Sequence, residues 1–124
     1  FRNPERGEIV VFRPPQHSDQ YYIKRVIGLP GETVEIRNGV ITIYNAENPN
    51  GFALTETYIS EVTEGRDRRT LGADEYYVMG DNRDASLDSR YFGAVPRDNL
   101  IGRVWVRGLP FDRATTFDVP TYSE

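Results

Sequence analysis

The sequence predicts a mainly β domain of mixed antiparallel sheets, partly closed, and two observations carry that expectation. Helical periodicity is nearly absent, while short apolar or alternating runs recur between glycine, proline and asparagine punctuation. Between two such alternating runs stands Asn38-Gly39, the strongest short signal for a hairpin closed by a type I′ turn. At 124 residues the chain fits one domain with one core. Its core blocks are read at 6–44 and 75–108, with a surface excursion at 45–72 and a loosely held tail at 111–124.

Taken in order, Glu8-Ile9-Val10-Val11-Phe12 is a continuous apolar run suited to a strand buried on both faces, and Pro14-Pro15 ends it. Residues 16–20 read as a polar loop holding the only histidine. Its His17-Ser18-Asp19 cannot be a catalytic triad, because triad members converge from separate elements. Tyr22 to Ile27 reads as a strand closed by the tight turn Gly28-Leu29-Pro30-Gly31. Glu32 to Arg37 and Val40 to Tyr44 form the hairpin. Within the excursion, Leu54 to Val62 offers a possible strand, and the mixed charges of Glu64 to Arg69 read as a solvated turn. Glu75-Tyr76-Tyr77-Val78-Met79 is a further strand, and Ile101 to Arg107 alternates as a closing strand with its arginines toward water.

Composition excludes several functions. With 27% charged and 38% hydrophobic residues the chain is too polar for a membrane span, and no apolar run approaches the roughly 18 residues a span needs. A formal charge of -4 and a pI near 5.1 argue against a nucleic-acid partner, which would require a basic face. The absence of cysteine excludes disulfides, thiolate metal sites and a cysteine nucleophile. No secretory signal pattern opens the chain, and Phe1 in place of methionine reads as the start of a piece of a longer protein.

Two stretches carry chemistry. Lys24 is the only lysine among 15 basic Lys and Arg residues, and it sits inside an apolar strand. A desolvated lysine can lose its proton near neutral pH and act as a base, whereas arginine stays charged. Strand alternation puts Lys24 on one face with Tyr22 and Val26, and Ile23, Arg25 and Ile27 on the other. The competing reading is a lysine that snorkels to the rim of the sheet. The second stretch, Gly80-Asp81-Asn82-Arg83-Asp84-Ala85-Ser86-Leu87-Asp88-Ser89-Arg90-Tyr91-Phe92-Gly93, is a loop dense in carboxylates and guanidinium groups. Arg83 among the acids, and a spacing that misses the calcium-loop pattern, argue against a metal site. The expected role is a set of Asp-Arg pairs that brace the loop and hold Ser86, whose hydroxyl could orient a neutral amine.

Together with Arg6-Gly7-Glu8-Ile9-Val10-Val11-Phe12 and Tyr22-Ile23-Lys24-Arg25-Val26-Ile27-Gly28-Leu29-Pro30-Gly31-Glu32, that loop resembles bacterial type I signal peptidase. The similarity runs from about Asn3 through Gly108, and Glu8 and Glu32 stand where the family usually has Asp. The resemblance implies a signal-peptidase-like β fold. It also implies a membrane-anchored serine endopeptidase, working on the extracytoplasmic face without metal or cofactor, that removes signal peptides from exported preproteins.

By the same resemblance Lys24 matches the general base and Ser86 the second serine that orients it. Asp88 and Arg90 match a structural ion pair, Arg25 and Asp81 a further one, and Val11, Tyr21, Tyr22 and Ile23 positions facing the substrate's small-residue pockets. The family's nucleophile lies in a Ser-Met-x-Pro block upstream of the first block seen here, and the sequence contains no such block. The expectation is therefore that this polypeptide alone does not hydrolyse peptides, its nucleophile and N-terminal membrane anchor lying outside it. Two alternatives stand beside this reading. One is a self-cleaving Ser/Lys domain of the SOS-repressor type. The other is a non-catalytic β module that binds extended peptides by strand addition, in which Lys24 would be an ordinary structural residue.

Overall fold

A computed structural model describes residues 3–15, 20–55, 63, 65–83 and 87–104. They form two antiparallel sheets with little helix and no closed barrel among the described residues. Strands β1 (Ile9–Phe12), β2 (Tyr22–Gly28), β7 (Glu75–Met79), β8 (Val95–Pro96) and β9 (Leu100–Val104) build a five-stranded sheet in the order β8-β7-β2-β1-β9. Strands β3 (Thr33–Arg37), β4 (Val40–Tyr44), β5 (Phe52–Ala53) and β6 (Asp67–Thr70) build a four-stranded sheet in the order β5-β4-β3-β6.

The apolar run of β1 is buried throughout, flanked by β2 and β9, and β2 is buried along its whole length. Their alternate faces feed two clusters. Val10, Phe12, Tyr22, Val26, Tyr76, Val78, Phe92, Val95 and Leu100 form one. The other joins Ile27, Tyr77 and Met79 of the first sheet to Val34, Ile36, Ile41 and Ile43 of the second.

The turn that carries the chain between sheets follows from its residues. Pro30 presets φ, Gly31 takes φ +82°, and the Glu32 N–H donates to the Leu29 carbonyl at 3.1 Å. Gly28 is required for space instead: a Cβ there would lie 2.4 Å from Val34 Cγ2 and 2.9 Å from Leu71 Cδ1. Asn38 and Gly39 both adopt positive φ, 52° and 80°, as a type I′ turn demands, and Arg37 pairs with Val40 across it.

The charged segment expected as a solvated turn is, at Asp67–Thr70, the edge strand β6 paired with β3. Its cohesion comes from polar cross-strand partners: Arg68 Nη1 donates to Glu35 Oε2 at 3.0 Å, and the Thr33 and Thr70 hydroxyls meet at 2.9 Å. The Tyr77 hydroxyl donates to Asp67 Oδ2 at 2.7 Å, and burial followed by this carboxylate pushes the phenol well above its ordinary range. In the loop of residues 80–93, the chain ends in a single helical turn, α1 (Ser89–Phe92), capped by Asp88. The expected His17-Ser18-Asp19 loop, most of the possible strand at 54–62, residues 105–107 with the Arg103 and Arg107 side chains, and the tail at 111–124 lie outside the described residues.

Candidate active site

Strand β2 delivers Lys24, and Leu87 and Phe92 pack on the face where it stands. Lys24 is 7% exposed, on the face shared by Tyr22 and Val26, and its cross-strand partner on β1 is Val10. Its Nζ lies 5.9 Å from the centroid of the Tyr22 ring, which in turn packs against Phe12 and Phe92 with ring centroids 6.2 and 6.1 Å away. Phe92 belongs to α1, and Leu87 also packs on this cluster, so the loop covers the face on which Lys24 stands. Lys24 is thus largely buried, with the Tyr22 ring beside its amine.

The loop is fixed by its charges. Arg25, on the opposite face of β2, donates from Nε and Nη2 to Asp81 at 2.9 and 2.7 Å, and from Nη1 to the Gly7 carbonyl at 2.8 Å. Asp88, fully buried, accepts from the Gly80 N–H at 3.2 Å, from the Arg90 N–H at 3.1 Å, and from Arg90 Nε and Nη2 at 3.0 and 2.8 Å. The Ser89 hydroxyl accepts from the Val78 N–H at 2.9 Å, tying the helical turn to β7. A buried carboxylate with charge-assisted donors on both oxygens cannot reorient without losing several bonds at once. Ser86 lies outside the described residues.

The residues matched to substrate pockets divide between the two faces. Val11 and Ile23 are cross-strand partners, 4% and 3% exposed, on the face away from Lys24. Tyr22 belongs to the aromatic cluster on the Lys24 face, and Tyr21 is half-buried with its hydroxyl accepting from Arg13 Nη2 at 2.6 Å. Two buried groups carried no sequence signal as partners. Arg83, 2% exposed, donates from Nε to the Gly80 carbonyl at 2.7 Å and from Nη1 to the Thr63 hydroxyl at 2.8 Å. Thr63, 5% exposed, lies within the span read as an excursion, and only the folded structure reveals its contact with Arg83.

A second polar knot supports the β2 strand from its far end. Glu32 is 5% exposed and accepts from Arg6 Nη1 and Nη2 at 2.6 and 2.9 Å, from the Leu29 N–H at 2.8 Å and from Asn45 at 2.9 Å. Burial by itself would raise this carboxyl, but the donors from Arg6, Asn45 and Leu29 outweigh it and hold it below the usual carboxylate range.

Comparison with known proteins places this arrangement. The family described as signal peptidase, peptidase S26, matches residues 1–108. Signal peptidase I of Leptolyngbya laminosa is 42% identical over 121 residues, 91% of this chain and 57% of the relative. Signal peptidase IB of Staphylococcus aureus is 33% identical over 120 residues, 86% of this chain and 62% of the relative. The chain therefore spans little more than half the length of these curated relatives. A crystal structure of a signal peptidase I from Enterococcus faecalis V583 superposes with a TM-score of 0.72 at 33% identity, covering 85% of this chain and 99% of that one.

Proposed function

Because the chain belongs to the signal peptidase family, peptidase S26, we propose that it is the Lys24-bearing part of a serine endopeptidase that cleaves N-terminal signal peptides from exported preproteins. The observation that carries this reading is a single amine, 7% exposed, on a strand face covered by a loop locked through Asp88 and Arg90. Such an amine is chemically useful as a base only in its uncharged form, and a dry setting disfavours the charged one.

In this reading neutral Lys24 takes the proton of a nucleophilic serine hydroxyl as it attacks the scissile carbonyl, then returns it to the leaving amine. The nucleophile belongs to polypeptide outside these residues, so residues 1–124 alone do not hydrolyse peptides. Ser86 supplies a hydroxyl that orients the amine, and Val11, Tyr21, Tyr22 and Ile23 belong to the stretches that receive the substrate's small side chains, with Tyr22 on the Lys24 face and Val11 and Ile23 on the other. Asp81 with Arg25, and Asp88 with Arg90, keep the loop and strand in register. No cofactor enters the chemistry. Among the described residues no helix is long and apolar enough to cross a membrane; the reading places the membrane anchor outside them and the domain on the extracytoplasmic face.

The test is preprotein processing by the full-length chain that contains these residues, with Lys24→Arg as the diagnostic variant. A general base cannot be replaced by a guanidinium that never deprotonates, so processing should stop. Normal processing by Lys24→Arg would rule out Lys24 as the general base, and no processing by the unsubstituted full-length chain would favour a non-catalytic peptide-binding module and end the peptidase reading.

A further inference from the structure

Resting on the peptidase reading, we propose that Thr63 is a positioning residue for the reaction, acting through Arg83 on the backbone beside Lys24. The β2–β7 ladder pairs Val26 with Val78 and Arg25 with Met79. Continued by one residue, it sets Gly80 alongside Lys24. Both polar groups of Gly80 are held by side chains: its N–H donates to Asp88 Oδ2 at 3.2 Å, and its carbonyl accepts from Arg83 Nε at 2.7 Å. The same guanidinium also donates from Nη1 to Thr63 Oγ1 at 2.8 Å.

Arg83 and Thr63 are 2% and 5% exposed, so water cannot freely substitute for either partner. A planar guanidinium tied at two of its nitrogens has little freedom to pivot. Its own backbone is also fixed, because Arg90 Nη2 donates to the Arg83 carbonyl at 2.9 Å. The segment carrying Thr63 meets the loop again further on: a Cβ at Gly65 would lie 3.7 Å from Arg90 Cδ, and one at Gly93 would lie 3.5 Å from Arg69 Nη1. Thr63 thus joins the excursion to the wall of the site. Removing its oxygen takes one acceptor from a buried guanidinium, and so loosens the hold on the Gly80 carbonyl that the same group supplies. A misplacement of about 1 Å beside the reacting groups can slow the chemical step by about a hundredfold, and a smaller one by less.

The experiment uses the full-length peptidase and a signal-peptide substrate, with rates expressed per active site. Thr63→Val preserves shape and removes the acceptor; it should lower kcat about tenfold and leave KM within about twofold, the signature of an interaction used in the transition state. Its acid limb of activity should also move relative to wild type, because the surroundings of the amine change. Thr63→Ser, which keeps the oxygen, should restore both. If Thr63→Val does not fold, Thr63→Ala reads the same quantities. The inference is overturned if the variants turn over at the wild-type rate, or if the loss reflects only fewer folded molecules with an unchanged pH profile. Lys24→Ala, run in parallel, separates the two failures. Activity in Lys24→Ala overturns Lys24 as the base and this inference with it, whereas an inactive Lys24→Ala beside a fully active Thr63→Val overturns the role of Thr63 alone.

Discussion

Arg25 and Asp81, 56 positions apart, are joined by two parallel hydrogen bonds of 2.9 and 2.7 Å with both side chains only 3% exposed. The pair fastens the middle of β2 to the first residue beyond Gly80, and it lies on the far side of the strand from Lys24. Taking two charges out of water is costly, and the attraction between them offsets that cost only while both are present. Asp81→Asn keeps the shape and removes one charge, so it should destabilise the fold by about 3–5 kcal/mol, whereas Arg25→Met with Asp81→Leu should cost distinctly less. Denaturant titration of the single and double variants checks this. Equal losses in both would mean that the pair does not act as a unit.

Glu32 gives the fold an acid sensitivity with a defined sign. Its carboxyl is held below the usual 4.5 by Arg6, Asn45 and the Leu29 N–H, against the opposing effect of burial. The folded state therefore binds this proton less readily than the unfolded chain. Stability from Glu32 is complete above the unfolded carboxylate value and is lost as pH falls through the lower folded one. Urea midpoints measured from neutral pH downward should fall in wild type through that acid window, and Glu32→Gln should flatten this part of the dependence while lowering the neutral-pH midpoint. An unchanged slope in Glu32→Gln would assign the acid loss to other groups.

Space alone fixes Gly28. A methyl group there would press on Val34 Cγ2 at 2.4 Å and Leu71 Cδ1 at 2.9 Å, and Val34 is fully buried between the sheets. Gly28→Ala should thus cost about 1–3 kcal/mol by overpacking. The paired change Gly28→Ala with Val34→Ala should recover part of that loss if the clash is the cause. Thermal or chemical denaturation of both variants decides it.

What could be read in the sequence was what depends on near neighbours. Asn38-Gly39 dictates its own turn, and the alternation of β2 sets Lys24, Tyr22 and Val26 on one face without reference to any other strand. Strand β6 was illegible for the converse reason: Asp67, Arg68 and Arg69 are poor strand residues in isolation, and they become one because β3 offers an edge with Glu35 and Thr33 at matching positions. Gly28 looked like a turn residue, yet its requirement arises from Val34 and Leu71, both brought near by the crossing to the second sheet. The division of Val11 and Ile23 from Tyr22 follows from alternation once the strand is known, but the burial of the Tyr22 ring among Phe12 and Phe92 depends on where α1 lands. The contact of Thr63 with Arg83 is the extreme case, since neither residue type signals the other.

The burial of Lys24 lets its part in packing and its part in activity be measured on one variant. Its side chain occupies a face otherwise filled by Val10, Tyr22 and Val26, where a charged head gains little from water. Methionine is similar in length and fills the same space, so Lys24→Met should keep the domain folded, with a denaturation midpoint near that of wild type. The same substitution in the full-length chain should abolish preprotein processing, because no proton acceptor remains at that position. A residue retained for packing would show the reverse, with stability falling and processing persisting in proportion to the folded fraction. Measuring both quantities on one variant therefore separates a base from a lysine that merely fills its place.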